Sequence, residues 1–128
     1  MKKLVSSGSP FENSIGFSRA CRIENQIAVA GTAPIQGGKT AFVGDLYNQT
    51  KYCLEISVHA IEEAGGCVED VIRTRIMLID IRRWEEAAKA HGEFFSDIKP
   101  ACTFVEVKGL IDPEWLVEIE VDCVTSKV

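Results

Sequence analysis

The sequence predicts an α+β fold, a mixed β-sheet with two helices packed on one face, in the order β-β-α-β-α-β-β. Three observations predict it. Residues 45–64 and 83–96 repeat apolar side chains at i, i+3 and i+4, the period of a helix with one buried stripe. Residues 21–30, 71–81, 101–107 and 115–124 carry the alternation and β-branched content of strands. Two amphipathic helices cover only one face of such a sheet, so the other face must meet water or another subunit.

Taken in order, Leu4–Ser6 is a candidate short leading strand. Cys21–Ala30 reads as two strands around Glu24-Asn25, with Ile23, Ile27 and Val29 as the β-branched residues. Gly37-Gly38 marks an exposed loop tip. Asp45 caps a helix that runs to about Ala64, with Leu46, Thr50, Cys53, Leu54, Ser57, Val58 and Ile61 on its buried stripe. Gly65-Gly66 ends it, because glycine takes the left-handed cap conformation cheaply. Val71–Ile81 is a strand with Ile72, Thr74, Ile76 and Leu78 on one face and Arg73, Arg75, Met77 and Ile79 on the other. The second helix, about Arg83–Ser96, aligns Trp84, Ala87, Ala88, His91, Phe94 and Phe95. Pro100 closes off its continuation, and Ala101–Val107 forms the next strand. After Gly109 and Asp112-Pro113 comes the last strand, Trp115–Val124. It points Trp115, Val117, Ile119, Val121 and Cys123 one way and Leu116, Glu118, Glu120 and Asp122 the other. The uncovered sheet face thus mixes charges with Met77, Ile79 and Leu116, which suits an assembly with polar clefts better than a dry dimer core.

Composition narrows the classes. The 128 residues are 46% hydrophobic and 26% charged, as expected for one globular domain spanning 1–128. A chain of this size buries roughly two-thirds of its unfolded surface and needs no disulfide or metal staple. Fourteen basic against nineteen acidic residues give a net charge of −5, which argues against a general nucleic-acid surface. MKKLVSSGSP begins like a signal peptide, but its apolar stretch is only Leu4-Val5, and no run approaches the length of a membrane span. A cytoplasmic protein without a membrane partner is expected. The five cysteines, Cys21, Cys53, Cys67, Cys102 and Cys123, are scattered without a C-x-x-C, and neither His59 nor His91 has a cysteine close by. Free thiols and no metal site are expected.

Several residues could carry chemistry. Glu118, Glu120 and Asp122 share a strand face and suit acid–base work, or a solvated face neutralised by Arg73 and Arg75. Arg19 and Arg22 in GFSRACRIE, with Arg73 and Arg75 in VIRTRIML, could form an anion pocket or salt bridges to the acidic strand. His91 lies on an apolar stripe, which favours a packed, hydrogen-bonded histidine over a proton carrier. Cys102 shares a face with Phe104 and Glu106, and on one register with Glu118. Local sequence supplies no cation to activate it, so it reads as strand filler.

The segments AVAGTAP (28–34), DLYNQTKYCLEISVHAIEEAGGCVEDVIRTRIMLIDI (45–81), HGEFF (91–95), KPACTFVEV (99–107) and LVEIEV (116–121) together resemble the YjgF/RidA family. That family is also called reactive-intermediate imine deaminase or endoribonuclease L-PSP. The resemblance covers nearly the whole chain in order. It implies a chorismate-mutase-like fold and a homotrimer with three clefts between subunits, each binding a small metabolite without a cofactor. In deaminating members an arginine following P-A grips the substrate carboxylate, and that position is Cys102 here. The family cysteine two residues on aligns with Phe104. The family G-P-Y-S-Q-A stands as IGFSRA, so Phe17 lacks a tyrosine hydroxyl and Arg19 replaces a glutamine. A family asparagine aligns with Ala88 and a tyrosine with His91. The ligand-facing turn is kept as Ala30-Gly31-Thr32, and the glutamate that places water as Glu118.

One guanidinium is missing at 102 and another is present at 19, so the resemblance implies an altered site rather than a decayed one. Phe17, Arg19, Gly31, Thr32 and Cys102 are the ligand-binding candidates, and Glu118 and His91 the catalytic ones. Three functions compete. The first is a trimer binding a small anionic or carbonyl- or imine-bearing metabolite without efficient 2-imino acid hydrolysis. The second is an active imine deaminase or related hydrolase using Glu118. The third is an endoribonuclease, which the acidic balance disfavours.

Overall fold

The computed structural model describes residues 1–126. Six strands form one sheet in the order β1-β2-β3-β8-β6-β7: β1 Lys2–Val5, β2 Ala20–Ile23, β3 Gln26–Thr32, β6 Val71–Leu78, β7 Ala101–Glu106 and β8 Val117–Val124. Neighbours are antiparallel except β6 and β7, which run parallel. A two-stranded hairpin, β4 Ile35–Gln36 with β5 Lys39–Thr40, turns at Gly37-Gly38. Helices α1 Leu46–Glu63 and α2 Trp84–Phe95 pack on one face. This is the α+β arrangement predicted from sequence, with the leading strand at 2–5 rather than 4–6 and with β4–β5 added.

The ends of α1 follow from its sequence. Asp45 Oδ1 accepts a hydrogen bond from the Asn48 N–H at 3.0 Å, an N-cap worth about 1 kcal/mol. Gly65 at φ +92° ends the helix, and a Cβ there would lie 2.6 Å from Arg22 Nη1. That guanidinium donates to the Ala64 carbonyl at 2.8 Å, so Arg22 closes the negative end of α1 instead of joining an anion pocket. On the buried stripe, Thr50 and Ser57 donate to the Leu46 and Cys53 carbonyls at 2.8 and 2.9 Å, which satisfies both hydroxyls within the helix. Val58 is only half-buried, and Ala60 and Gln49 take up the remaining buried positions.

The core lies between the helices and Ile27, Val29, Ile76, Leu78, Val117, Ile119, Val121 and Cys123. The predicted inward set of the last strand, Trp115 included, is buried throughout. Ile119 lies at the centre with no exposed surface. Ile119→Ala should cost about 2–5 kcal/mol, measured by urea denaturation.

Further placements differ from expectation, and β8 begins at Val117 rather than Trp115. Val71 pairs with Cys123 and Arg73 with Asp122, an irregularity that shifts β6 by one residue. Ile72 is therefore turned to solvent at 51% exposure, and Val71 takes its inward place. The strand also ends at Leu78, and Ile81 opens a short 3₁₀ turn. The face without helices carries Arg73, Arg75, Glu118, Glu120 and Asp122 beside exposed Leu4, Ile23, Val105 and Val124. Arg75 Nη1 lies 3.5 Å from Glu120 and 3.3 Å from Asp122, so this arginine is engaged by the acidic strand.

Candidate functional site

Five of the residues singled out from sequence meet where β1, β2, β3 and β8 adjoin. Arg19 extends the β2 pairing: its N–H donates to the Val5 carbonyl at 2.8 Å and its carbonyl accepts from Ala30 N–H at 2.9 Å. The register of β3 against β8 shifts between Val29 and Thr32, which frees the Gly31 carbonyl from the regular ladder. Arg19 Nη1 donates to that carbonyl at 2.7 Å and to Thr32 Oγ1 at 3.2 Å. Thr32 Oγ1 in turn donates to the Ala30 carbonyl at 2.9 Å. The guanidinium carbon stands 5.6 Å from the centroid of the Phe17 ring, within cation–π range.

Glu118 borders the same group from β8. A Cβ on Gly31 would come within 3.0 Å of Glu118 Oε2, so glycine at 31 is what lets the carboxylate lie against the turn. Burial raises the Glu118 carboxyl above its ordinary value; Arg19 pulls it back down and Glu120 adds to the rise. Burial lowers the Arg19 guanidinium, while Glu12 and Glu118 support its charge. Arg19 Nε and Nη2 make no hydrogen bond among the described residues. The arrangement is a guanidinium fixed through Nη1 beside a carboxyl that burial raises above its ordinary value.

Sequence reasoning missed Glu12, which opens a short π-helical turn, Glu12–Gly16, ending against Phe17. The residue is buried at 8% exposure, and its carboxylate accepts from Ser6 Oγ at 2.8 Å, Ser7 N–H at 2.8 Å and Ser7 Oγ at 2.6 Å. Phe17 N–H donates to the Glu12 carbonyl at 3.0 Å. Glu12 thus fixes the loop that presents Phe17 to Arg19. The only available signal was S-S-G-S-P-F-E, serine donors close before an acid. Burial works to raise the Glu12 carboxyl, but the Ser7 and Ser6 hydrogen bonds outweigh it and hold it below the ordinary 4.5. A lowered folded value contributes stability above the unfolded value and loses it as pH falls through the folded one. Urea midpoints measured from about pH 5 down to about pH 3 should fall more steeply for the parent than for Glu12→Gln.

His91 and Cys102 are not in this group. Cys102 pairs with Thr74, and Thr74 with Val121, on the face covered by the helices. Glu118 pairs with Met77 and faces the opposite way, which rules out the register that joined it to Cys102. His91 Nε2 lies 2.8 Å from Thr74 Oγ1, and its ring lies tilted against Phe95 at 4.6 Å and edge-on to Phe104 at 6.2 Å. Burial lowers its pKa and keeps the ring neutral at pH 7. Trp84 meets the edge of Phe104 at 6.1 Å. Cys102 is exposed at the sheet's edge, next to this Thr74–His91 pair. The Cys102–Thr74–His91 group and Glu118 therefore lie on opposite faces of the sheet. Among the described residues no cluster of three or more His, Cys, Asp or Glu side chains is placed to hold a metal ion. No helix among them is long and apolar enough to cross a membrane.

Comparison with known proteins identifies the architecture. The family profile described as endoribonuclease L-PSP matches residues 9–125. An uncharacterized protein of Streptomyces coelicolor is 40% identical over 124 residues, covering 97% of this chain and 92% of its own. A 3-aminoacrylate deaminase, RutC, of Acinetobacter baylyi is 33% identical over 101 residues, covering 78% and 79%. A solved Mycobacterium tuberculosis member of the YjgF/YER057c/UK114 family superposes with a TM-score of 0.90 at 41% identity, covering 98% of this chain and all of that one. The sheet, the two helices and nearly the full length agree, and the chain belongs to the YjgF/RidA family, the endoribonuclease L-PSP family.

Proposed function

We propose that this protein is a homotrimeric metabolite-binding member of its family. It holds a small anionic, carbonyl- or imine-bearing ligand in clefts between subunits and hydrolyses 2-imino acids poorly. The observation that carries the reading is Arg19, fixed on Gly31 and Thr32 beside Glu118, with its Nε and Nη2 nitrogens making no hydrogen bond among the described residues. A carboxylate suits those donors, and an adjoining carbonyl or imine would face the Glu118 carboxyl. The half-site of His91 and Cys102 lies across the sheet, so a ligand touching both halves needs two copies of the chain. The uncovered face, with Leu4, Ile23, Val105 and Val124 exposed among charges, supports burial against such copies. Sedimentation equilibrium should give three times 14.1 kDa, and a stable monomer of 14.1 kDa would sink the assembly.

Reduced hydrolysis is inferred from Cys102, which stands where deaminating relatives carry arginine and offers no fixed positive charge. The alternative of an active deaminase is favoured by two things: a half-buried Glu118 carboxyl, raised by burial above its ordinary value, beside the proposed ligand position, and the RutC relative. Ribonuclease action finds little support in a chain of net charge −5. Calorimetric titration with pyruvate, a stable 2-oxo acid, tests the binding reading. Heat that saturates in the parent supports it, and no binding at millimolar ligand would refute it.

A further inference from the structure

The turn that leads into the Arg19 site hangs on one side chain. Of Glu12–Gly16 only Glu12 is buried; residues 13–16 and the preceding Phe11 are exposed, so apolar packing of its own residues does not fix the turn. The polar groups of Glu12 do so instead. Its N–H donates to the Ser9 carbonyl at 3.1 Å, and its carbonyl accepts from Phe17 N–H at 3.0 Å. One carboxylate oxygen accepts from Ser6 Oγ, and the other from Ser7 N–H and Ser7 Oγ. Ser6 Oγ also accepts from Gly8 N–H at 3.0 Å. The residues just past β1 are thereby tied, through Glu12, to the backbone of Phe17. Arg19 has a different support: its backbone is held by Val5 and Ala30 in the sheet, whatever the turn does. The Phe17 ring, 5.6 Å from the guanidinium carbon, is the part of the site whose place depends on the turn. Glu12 is also the charge that most supports the Arg19 guanidinium, ahead of Glu118.

Resting on the anion site proposed above, we propose that Glu12 is a positioning residue for that site: anchored by Ser6 and Ser7, it holds the Phe17 ring against Arg19 and so sets the site's affinity without touching the ligand. The direction of the effect separates this role from simple electrostatics. A carboxylate near an anion site repels the ligand, so losing it as a mere charge would tighten binding. Losing it as the anchor of Phe17 weakens binding, because the guanidinium is then less ordered before the ligand arrives.

The test titrates the intact protein with pyruvate by calorimetry at neutral pH, with the urea midpoint of each variant as the check on folding. The dissociation constant is read on folded protein, so a side chain that only stabilises the fold leaves it unchanged. Glu12→Ala is expected to weaken binding roughly fivefold, the scale of a lost cation–π contact. Glu12→Gln can still accept from Ser7 N–H and donate to the Ser6 hydroxyl, and should return affinity to within about twofold of the parent. Phe17→Ala should weaken binding by a factor similar to that of Glu12→Ala. Combining the two should cost little more, because both act through one contact. Unchanged or tighter binding in folded Glu12→Ala, or losses that multiply in the double variant, would overturn the positioning role and leave the Arg19 site standing. Should Glu12→Ala fail to fold, Ser6→Ala with Ser7→Ala removes two of the bonds and keeps the charge; weaker binding there supports the role and unchanged binding overturns it. Failure of the parent itself to bind pyruvate would overturn the anion site and the positioning role with it.

Discussion

Arg19→Ala should weaken the binding of a small 2-oxo acid by roughly ten- to a hundredfold, the scale of a charge-assisted, two-donor contact to a carboxylate. The guanidinium is held in place before any ligand arrives. Nη1 is bonded to the Gly31 carbonyl and Thr32 Oγ1, and the ring of Phe17 lies beneath it. A ligand therefore meets a side chain whose rotamer entropy is already spent. The folding cost of the variant should be about 1 kcal/mol, because the part-buried Gly31 carbonyl loses its Arg19 donor while Thr32 keeps its bond to Ala30. Calorimetry of the variant separates the two effects, with the urea midpoint as the control for folding. Undiminished affinity would show that Arg19 is structural.

The second large effect is expected at Cys102. Cys102→Arg should raise hydrolysis of 2-aminoacrylate and 2-iminobutyrate by about a hundredfold, by restoring a cation that orients the substrate carboxylate. The side chain has room, because Cys102 is exposed on the edge strand β7 beside Thr74 and Phe104. Neutral His91, bonded to Thr74, would not repel the new charge. The assay is release of 2-oxo acid from enzymatically generated imine, parent against variant. Rapid turnover by the parent, unchanged by the substitution, would show that Cys102 does not mark a lost function.

Much of the fold was legible because the signals were local. Alternation in 115–124 named the buried side of β8, and Asp45 and Gly65 marked the ends of α1 through their own backbone chemistry. What failed depended on register. The shift between Val71 and Arg73 turned Ile72 outward, since a one-residue slip exchanges the two faces of a strand. The same kind of question, which strand lies beside which, decided that Cys102 and Glu118 face apart: β6 intervenes, and only its pairings fix the faces. Gln49 reads as a polar residue on a helix, yet it is buried. Its amide donates to the Glu114 carbonyl at 3.1 Å and its oxygen accepts from Leu116 N–H at 2.8 Å, so it fastens a loop distant in sequence to α1.

The candidate site divides in the same way. Gly31, Thr32 and Glu118 were found through the family resemblance, and Phe17 and Arg19 as departures from it. Nothing in the sequence indicated that Arg19 would be bonded to the Gly31 carbonyl, because that contact follows from the irregularity in β3. Glu12 escaped notice because a carboxylate among serines and a proline reads as exposed loop, and its burial is set by the chain folding back onto Ser6 and Ser7. Arg22 reads like Arg19 in sequence, but it lies three residues on, so alternation sends it to the helix side, where it closes α1.

The central claim is that Arg19 and Glu118 form one half of a ligand site completed by a second subunit. A crystal structure of the protein soaked with a 2-oxo acid tests it most directly. The account predicts the carboxylate on Arg19 Nε and Nη2, the carbonyl oxygen toward Glu118, and Cys102 of the partner subunit across the cleft. A ligand bound elsewhere, or an Arg19 whose remaining donors are taken by a carboxylate of the assembled protein, would contradict it.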